Sequence, residues 1–453
     1  MLKPRRTQEE ITADAAAERR VHAEFLGYQP RRMKPVHFAT SFLLALTERQ
    51  HELELLNKAA VPKAAPRDTR TVIDEYVSDR LYPKLVQLDR LSGDIDQDGF
   101  RALRAHLNAA YNNDGAALNA AFAPYSSPGT DFSTPSLRYV SNKSKNHGHA
   151  GAFVVRVLDA SPEGRAVLAG CRRLLDAPPP PLAEFGAPLL DDYDEPYTDR
   201  YDEQLAPLQA ERLEALAAQM QAQTLAIGRL VDNLEATRSA YALRFLIIGL
   251  CSWLFVYMMK RGAAGTDPLL LMDALQGSNP RVRAQSRASY ARQLDLFSAS
   301  YDRQWEGQPP EPSASDWAVF AASAVARQNL DNHFRDLGVR IGFVQPRAPS
   351  ATRKHIEIQA DTLRVLVLSL IGRGEIMTLP ELARALRATW CICVGADAED
   401  VQLLRAQRFG PLDSDEDLQP NAVSFQALLV RLGLAVEPSD GLTLCAVDAE
   451  DLI

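Results

Sequence analysis

Apolar residues recur along much of this chain at helical spacing, and one stretch holds that spacing longest. Leu213, Met220, Ile227, Leu234 and Tyr241 stand seven apart, with Leu216, Gln223, Leu230 and Thr237 at the interleaved positions. A 3-4 stripe sustained for about four heptads predicts a long amphipathic helix. Such a helix either packs along its own domain or pairs with a second helix. In a pair, self-association included, Leu213, Leu216, Met220, Ile227, Leu230 and Leu234 would be the partner-binding residues, and Gln223 and Thr237 would set the register. The pattern then runs into Phe245 to Met259, 15 uncharged residues closed by Lys260 and Arg261. A bilayer span needs about 20 apolar residues, and shorter runs are commonly core helices. Continuity with an amphipathic pattern points to a buried central helix, with a single membrane pass as the rival.

Residues 1–177 read as an N-terminal helical domain, from apolar runs at Phe42 to Leu46 and Leu53 to Leu56 and periodic stretches near 72–91 and 100–118. A Ser-, Pro-, Gly- and Asn-rich loop is expected from Ala123 to Gly151. Pro178 to Pro181 cannot continue a helix, and residues 178–203 carry eight acids against Arg200 alone. That segment is a Pro-rich acidic linker, either a plain spacer or a docking strip for a basic partner. Residues 204–262 hold the long helix and its apolar end.

Residues 263–360 read as a second helical domain. Pro280 suits a first helical turn, and Arg281, Arg283, Arg287, Arg292 and Arg303 follow it, with no acid before Asp295. At 100° per residue a spacing of eleven puts Arg281, Arg292 and Arg303 on nearly one face. Together with Arg347, Arg353 and Lys354 in a later loop, these are the candidate nucleic-acid contacts. The plain alternative is a solvated helix face with ion pairs. Another helix, capped by Ser315 and Asp316, is expected to pass Trp317 and Leu330 and to stop near Gly338, before a short strand from Val339 to Val344.

Residues 361–453 show the most regular order. One helix carries Leu363, Val365, Leu366, Leu368 and Leu370. A second opens at Thr378 and Glu381 with capping-box spacing and continues through Leu382, Leu386 and Trp390. An apolar stretch from Ile392 to Val394, a helix over Glu399 to Gln407 and an acidic loop follow. A helix with Phe425, Leu428, Leu429 and Leu432 then precedes alternating runs around Asp440-Gly441, a hairpin signal. Helices ending in a β-hairpin resemble the winged-helix variant of the helix-turn-helix. In DNA-binding members the helix before the wing enters the major groove, and here it offers only Arg431, Gln426 and Asn421. With 15 acids against 7 arginines, this module is expected to bind protein, because an acidic surface repels the phosphate backbone.

At whole-chain level, Leu337-Gly338-Val339-Arg340-Ile341-Gly342, the acidic winged-helix-like end with Ser439-Asp440-Gly441 and the apolar Phe245 to Met259 helix resemble accessory subunits of bacterial multi-gene phage-defence systems that accompany a HerA-like ATPase. The resemblance implies a structural or adaptor role beside other subunits, with an ATPase as one candidate partner.

Composition adds limits. The 453 residues hold 50 Lys+Arg against 58 Asp+Glu, a net charge of -8, so any DNA contact must be local. Five cysteines form no disulfide framework, which fits a cytoplasmic protein. No phosphate-binding glycine loop, zincin helix or nucleophile elbow is present. Asp94, Asp96, Asp98 and Gly99 match half of an EF-hand loop, but its twelfth position is Ala105. Cys391-Ile392-Cys393 lacks a second pair at zinc spacing, and His147 and His149 sit in a polar loop. The expectation is therefore a mainly α, multi-domain helical protein with a long central helix and a C-terminal winged-helix-like module, acting as a non-enzymatic adaptor or scaffold with no cofactor or metal. A nucleic-acid-binding regulator and a membrane-tethered protein are the alternatives.

Overall fold

A computed structural model describes residues 21–22, 24–28, 35–46, 150–176, 210–237, 242–263, 265, 267–305, 324–346, 353–406, 412–437 and 442–447. Of these, 74% are helical, in twelve helices, so the protein is mainly α. In chain order the helices are α1 (Pro35–Leu46), α2 (Ala150–Asp159), α3 (Pro162–Asp176), α4 (Ala210–Gln219), α5 (Gln221–Thr237), α6 (Ala242–Ala263), α7 (Pro280–Trp305) and α8 (Ala324–Arg340). They continue as α9 (Ala360–Leu370), α10 (Leu379–Trp390), α11 (Ala398–Ala406) and α12 (Gln419–Arg431). The helices expected near 72–91 and 100–118, the half EF-hand loop, His147 and His149, the acidic linker and the Ser315/Asp316 cap all lie outside the described residues.

The apolar segment is α6, and it forms the centre of the core. Leu246, Leu250, Trp253, Leu254, Phe255 and Tyr257 are each 0% exposed. The helix is long and apolar enough to cross a membrane, yet 83% of its apolar window is buried inside the protein. It is enclosed by α1, α5, α7, α8, α9 and α10. Each fully buried large side chain contributes roughly 1.5–3 kcal/mol. Its polar tips are satisfied: Trp253 Nε1 donates to Thr224 Oγ1 at 3.3 Å and the Tyr257 hydroxyl to the Leu26 carbonyl at 2.8 Å.

The single long helix expected over 204–262 is instead three helices. Met220 forms a turn between α4 and α5, across which the Met220 amide still bonds the Leu216 carbonyl at 3.0 Å, and α6 folds back along α5. At one end of this hairpin Lys260 Nζ donates to the Gln219 carbonyl at 2.9 Å and to Gln223 Oε1 at 3.0 Å. In the middle, a Cβ on Gly249 would stand 2.6 Å from Leu230 and 3.1 Å from Ile227. The fold-back has a simple cause. A continuous rod would leave both the stripe and the apolar segment in water, whereas the hairpin buries each on the other.

Helix ends are closed by arginines from distant helices. The last carbonyls of a helix lack intrahelical donors and carry partial negative charge. Arg172 donates to Leu46, Arg212 to Glu24, Arg261 to Phe25, Arg229 to Leu370 and Arg364 to Leu432, at 2.6–3.1 Å. The first helical turns around Phe25 are held twice over, because Arg261 also lies 5.0 Å from the Phe25 ring centroid.

Farther on, α7 begins at Pro280, with Asn279 Oδ1 accepting from the Arg281 and Val282 amides at 2.9 and 3.2 Å. The next helix, α8, does not stop at Gly338 but runs to Arg340, and the left-handed residue is Gly342 (φ +80). Gly338 has a packing role: a Cβ there would stand 2.8 Å from Val344 and 3.1 Å from Phe255. The strand expected from Val339 shortens to β2 (Val344–Gln345), antiparallel to β3 (His355–Ile356).

Within 361–453 the expected helices, apolar stretch and hairpin strands follow in order, and one strand not foreseen in the sequence, β4, is added: α9, β4 (Met377–Thr378), α10, β5 (Ile392–Cys393), α11, α12, β6 (Ala435–Val436) and β7 (Leu444–Cys445). The capping box is formed, with Glu381 Oε2 accepting from the Thr378 amide and hydroxyl, both at 2.8 Å. The last strands make an antiparallel hairpin, and the sheet order is β4-β7-β6. The boundary drawn at 360/361, however, cuts through a shared core. β5 pairs in parallel with β1 (Leu270–Leu271), and one apolar cluster runs from Val21 to Cys445. Asn421, 0% exposed, joins three segments: its Oδ1 accepts from the Ala274 amide, and its Nδ2 donates to the Met272 and Val394 carbonyls, each at 2.9 Å.

Candidate partner-binding surfaces

The heptad stripe faces the chain itself. Met220, Ile227, Leu230 and Leu234 are at most 2% exposed, and Leu213 and Leu216 pack partly buried against the same core. Gln223 does not sit at a seam with a partner, since its amide reaches the Thr389 carbonyl. The seam that a coiled-coil partner would use is occupied by α6, α9 and α10.

The arginines of α7 divide by their surroundings. Arg283 is held by the fully buried carboxylate of Asp273 and by Glu357 at 3.2 Å, and Glu357 also meets His355 Nε2 at 3.1 Å. A buried carboxylate needs such a partner, so Arg283 neutralises the interior and offers nothing outward. Arg281 is exposed and pairs with Glu416 at 3.3 Å and Asp417 at 3.5 Å, in the acidic turn before α12. Arg287 is partly buried, while Arg292 and Arg303 are exposed with Arg281. Of the basic loop, Arg353 is exposed, Lys354 is buried with its ammonium on the Pro346 carbonyl at 2.6 Å, and Arg347 lies outside the described residues.

On α12 the inward face is Asn421, Phe425 and Leu429. Asn421 is therefore structural and not a base-reading group, and Gln426 donates to Glu437 at 2.6 Å. The outward face is apolar. Val423 is 57% exposed, Val430 40%, and Ala427 lies exposed between them on the same side of the helix. Glu437 and Leu442, the latter 46% exposed, flank the turn of the β6–β7 hairpin. The Gln426–Glu437 bond ties the residue after β6 to the middle of α12. The sequence did hold a signal for this face: Val423, Phe425, Ala427, Leu428, Leu429 and Val430 are more apolar residues than one buried side of a helix can take.

Arg387 is clamped by Asp400 and Glu399. All five cysteines are free and buried, and burial pushes the Cys171, Cys391 and Cys445 thiols up to about 12, so they stay protonated and unreactive at neutral pH. No cluster of His, Cys, Asp or Glu suited to a metal occurs among the described residues. A cleft of about 830 Å³ between α3, α5 and the turn after α9 is edged by Glu163, Asp232, Arg373 and Glu375 around Leu225. Comparison of the chain with protein-family models, with curated proteins and with solved structures gives no match.

Proposed function

We propose that this chain is a non-enzymatic adaptor or scaffold subunit of a bacterial multi-protein complex, and that residues 361–453 are a winged-helix-type module that grips a protein partner. Two features support the module type. Its elements run helix, strand, helix, then, after the inserted β5 and α11, helix, strand, strand, and the first strand lies beside the last in the sheet. The observation that carries the protein-binding reading is the outward face of α12, where Val423, Ala427 and Val430 stand in place of the polar and basic residues that read bases. The resemblance to phage-defence accessory subunits makes a HerA-like ATPase one candidate partner.

Two measurements on the full chain test the reading together. Purification from the native host should retain another subunit through gel filtration, and duplex DNA should show no mobility shift at physiological salt. The rival regulator reading requires a shift that is lost when Arg281, Arg292 and Arg303 are changed together to Glu, with the salt slope falling by about one per lost phosphate contact. That outcome would replace the adaptor reading.

A further inference from the structure

We propose that the cleft between α3, α5 and the turn after α9 binds a linear alkyl polyamine, an organic cation with an ammonium group at each end and methylenes between. Its volume of about 830 Å³ lies in the range of small-molecule sites. The helices α3 and α5 run side by side in one direction: a Cβ on Gly170 would stand 2.7 Å from Val231, one on Gly228 3.3 Å from Val167, and Arg173 pairs with Glu235 at 3.1 Å. In that register Glu163 sits about eight residues before the level of Asp232, about 12 Å along the helices. Neither carboxylate has a hydrogen bond or ion pair among the described residues, and both line the cleft. A third acceptor comes from the interior. Asn233, 3% exposed, donates both amide hydrogens, to the Leu368 and Ile371 carbonyls at 2.6 and 2.9 Å, and its Oδ1 accepts no bond from the described residues. That leaves Oδ1 for the cleft the residue lines. The cations at the edge are engaged: Arg229 donates to the Leu370 carbonyl at 2.6 Å and lies 4.0 Å from Glu375, and Arg373 also has a partner. The unmet groups of the cleft are therefore acceptors, which call for donors carrying positive charge. An anionic ligand would bring acceptor against acceptor. Leu225, 54% exposed, gives the methylenes an apolar wall.

The test is isothermal titration calorimetry of the full chain with spermidine as the probe, at physiological salt. Saturable binding of one equivalent is expected. Glu163→Gln with Asp232→Asn should weaken it about tenfold, the combined effect of two exposed ion pairs. Ala222→Phe fills the cleft from an exposed position without changing its charge and should weaken binding at least as much. Neither variant alters a buried side chain, so circular dichroism and melting without spermidine should match the wild type. Two further probes separate the cleft from simple charge attraction: octanediol has the length without the charge, and magnesium chloride the charge without the length. Neither should compete with spermidine. Absence of saturable binding by the wild type overturns the proposal, as does binding that survives Ala222→Phe or the double substitution. Octanediol bound as tightly as spermidine, or magnesium that displaces spermidine at equal concentration, also overturns it. A short oligolysine peptide that binds more tightly than spermidine would give the cleft to the lysines of a protein partner and overturn the small-molecule assignment.

Discussion

Asn421→Ala is the sharpest probe of how the C-terminal elements are joined to the rest of the chain. The substitution removes one acceptor and two donated bonds in a fully buried place, leaving the Ala274 amide and the Met272 and Val394 carbonyls without that partner. A buried polar group left unmade costs about 1–3 kcal/mol. With partial relaxation of the three sites, a loss of about 3–5 kcal/mol is expected, against a total stability of about 5–15 kcal/mol. Asn421→Asp should be no milder, because a carboxylate keeps the contact to the amide but faces two carbonyls. The assay is urea unfolding followed by far-UV circular dichroism and by the fluorescence of the buried residues Trp253 and Trp390. At an m value of about 3 kcal/mol/M, the midpoint should fall by about 1–1.7 M. Both probes should move together, since Trp253 and Trp390 belong to one apolar cluster. A variant within 0.5 kcal/mol of wild type, or a wild type in which the two probes report separate transitions, would refute the shared-core argument. In the second case residues 361–453 would be an independent unit after all.

Two further predictions bear on local features. Gly249→Leu should destabilise by about 1–3 kcal/mol through overpacking against Leu230 and Ile227; in an open, unpacked helix, replacing Gly gains about 1 kcal/mol, so a rise in melting temperature would deny the α5–α6 hairpin. Glu381 is held below the usual carboxylate range by the backbone amide and then the hydroxyl of Thr378. Its folded pKa is depressed, so its stabilising contribution is present above the unfolded carboxylate value and is lost as pH falls through the folded one. In Thr378→Ala the amide remains, and carbon-13 NMR of labelled Glu should show the Glu381 titration rising part of the way to the ordinary value; an unmoved titration removes the hydroxyl's role.

Local instructions were legible. Pro280 opens α7, Thr378 and Glu381 cap α10, and alternating runs on either side of Asp440-Gly441 form β6 and β7. Each rests on contacts within a few residues, which spacing alone specifies. The buried fate of Phe245 to Met259 was also readable, because a run that apolar has to leave water somewhere. What spacing cannot state is against what. The heptad stripe over 213–241 is compatible with a seam between chains and with a hairpin inside one, and the choice fell to the hairpin because α6 supplies the nearest apolar surface. Gly338 and Gly342 look alike as helix stops, and the approach of Phe255 and Val344 makes one a packing site and leaves the turn to the other.

The sequence by itself determined a mainly helical chain, its local caps and turns, and the need to bury one long apolar helix, since these follow from propensity and from period. Only the tertiary structure decided what each charge is for. Arg281 and Arg283 share one helix and one residue type, yet one meets the acidic turn before α12 and the other an inner carboxylate, while Arg172, Arg212, Arg229, Arg261 and Arg364 close the ends of distant helices. A side chain's charge is written at its own position, but its electrostatic energy depends on groups tens to hundreds of residues away, and only folding brings those together.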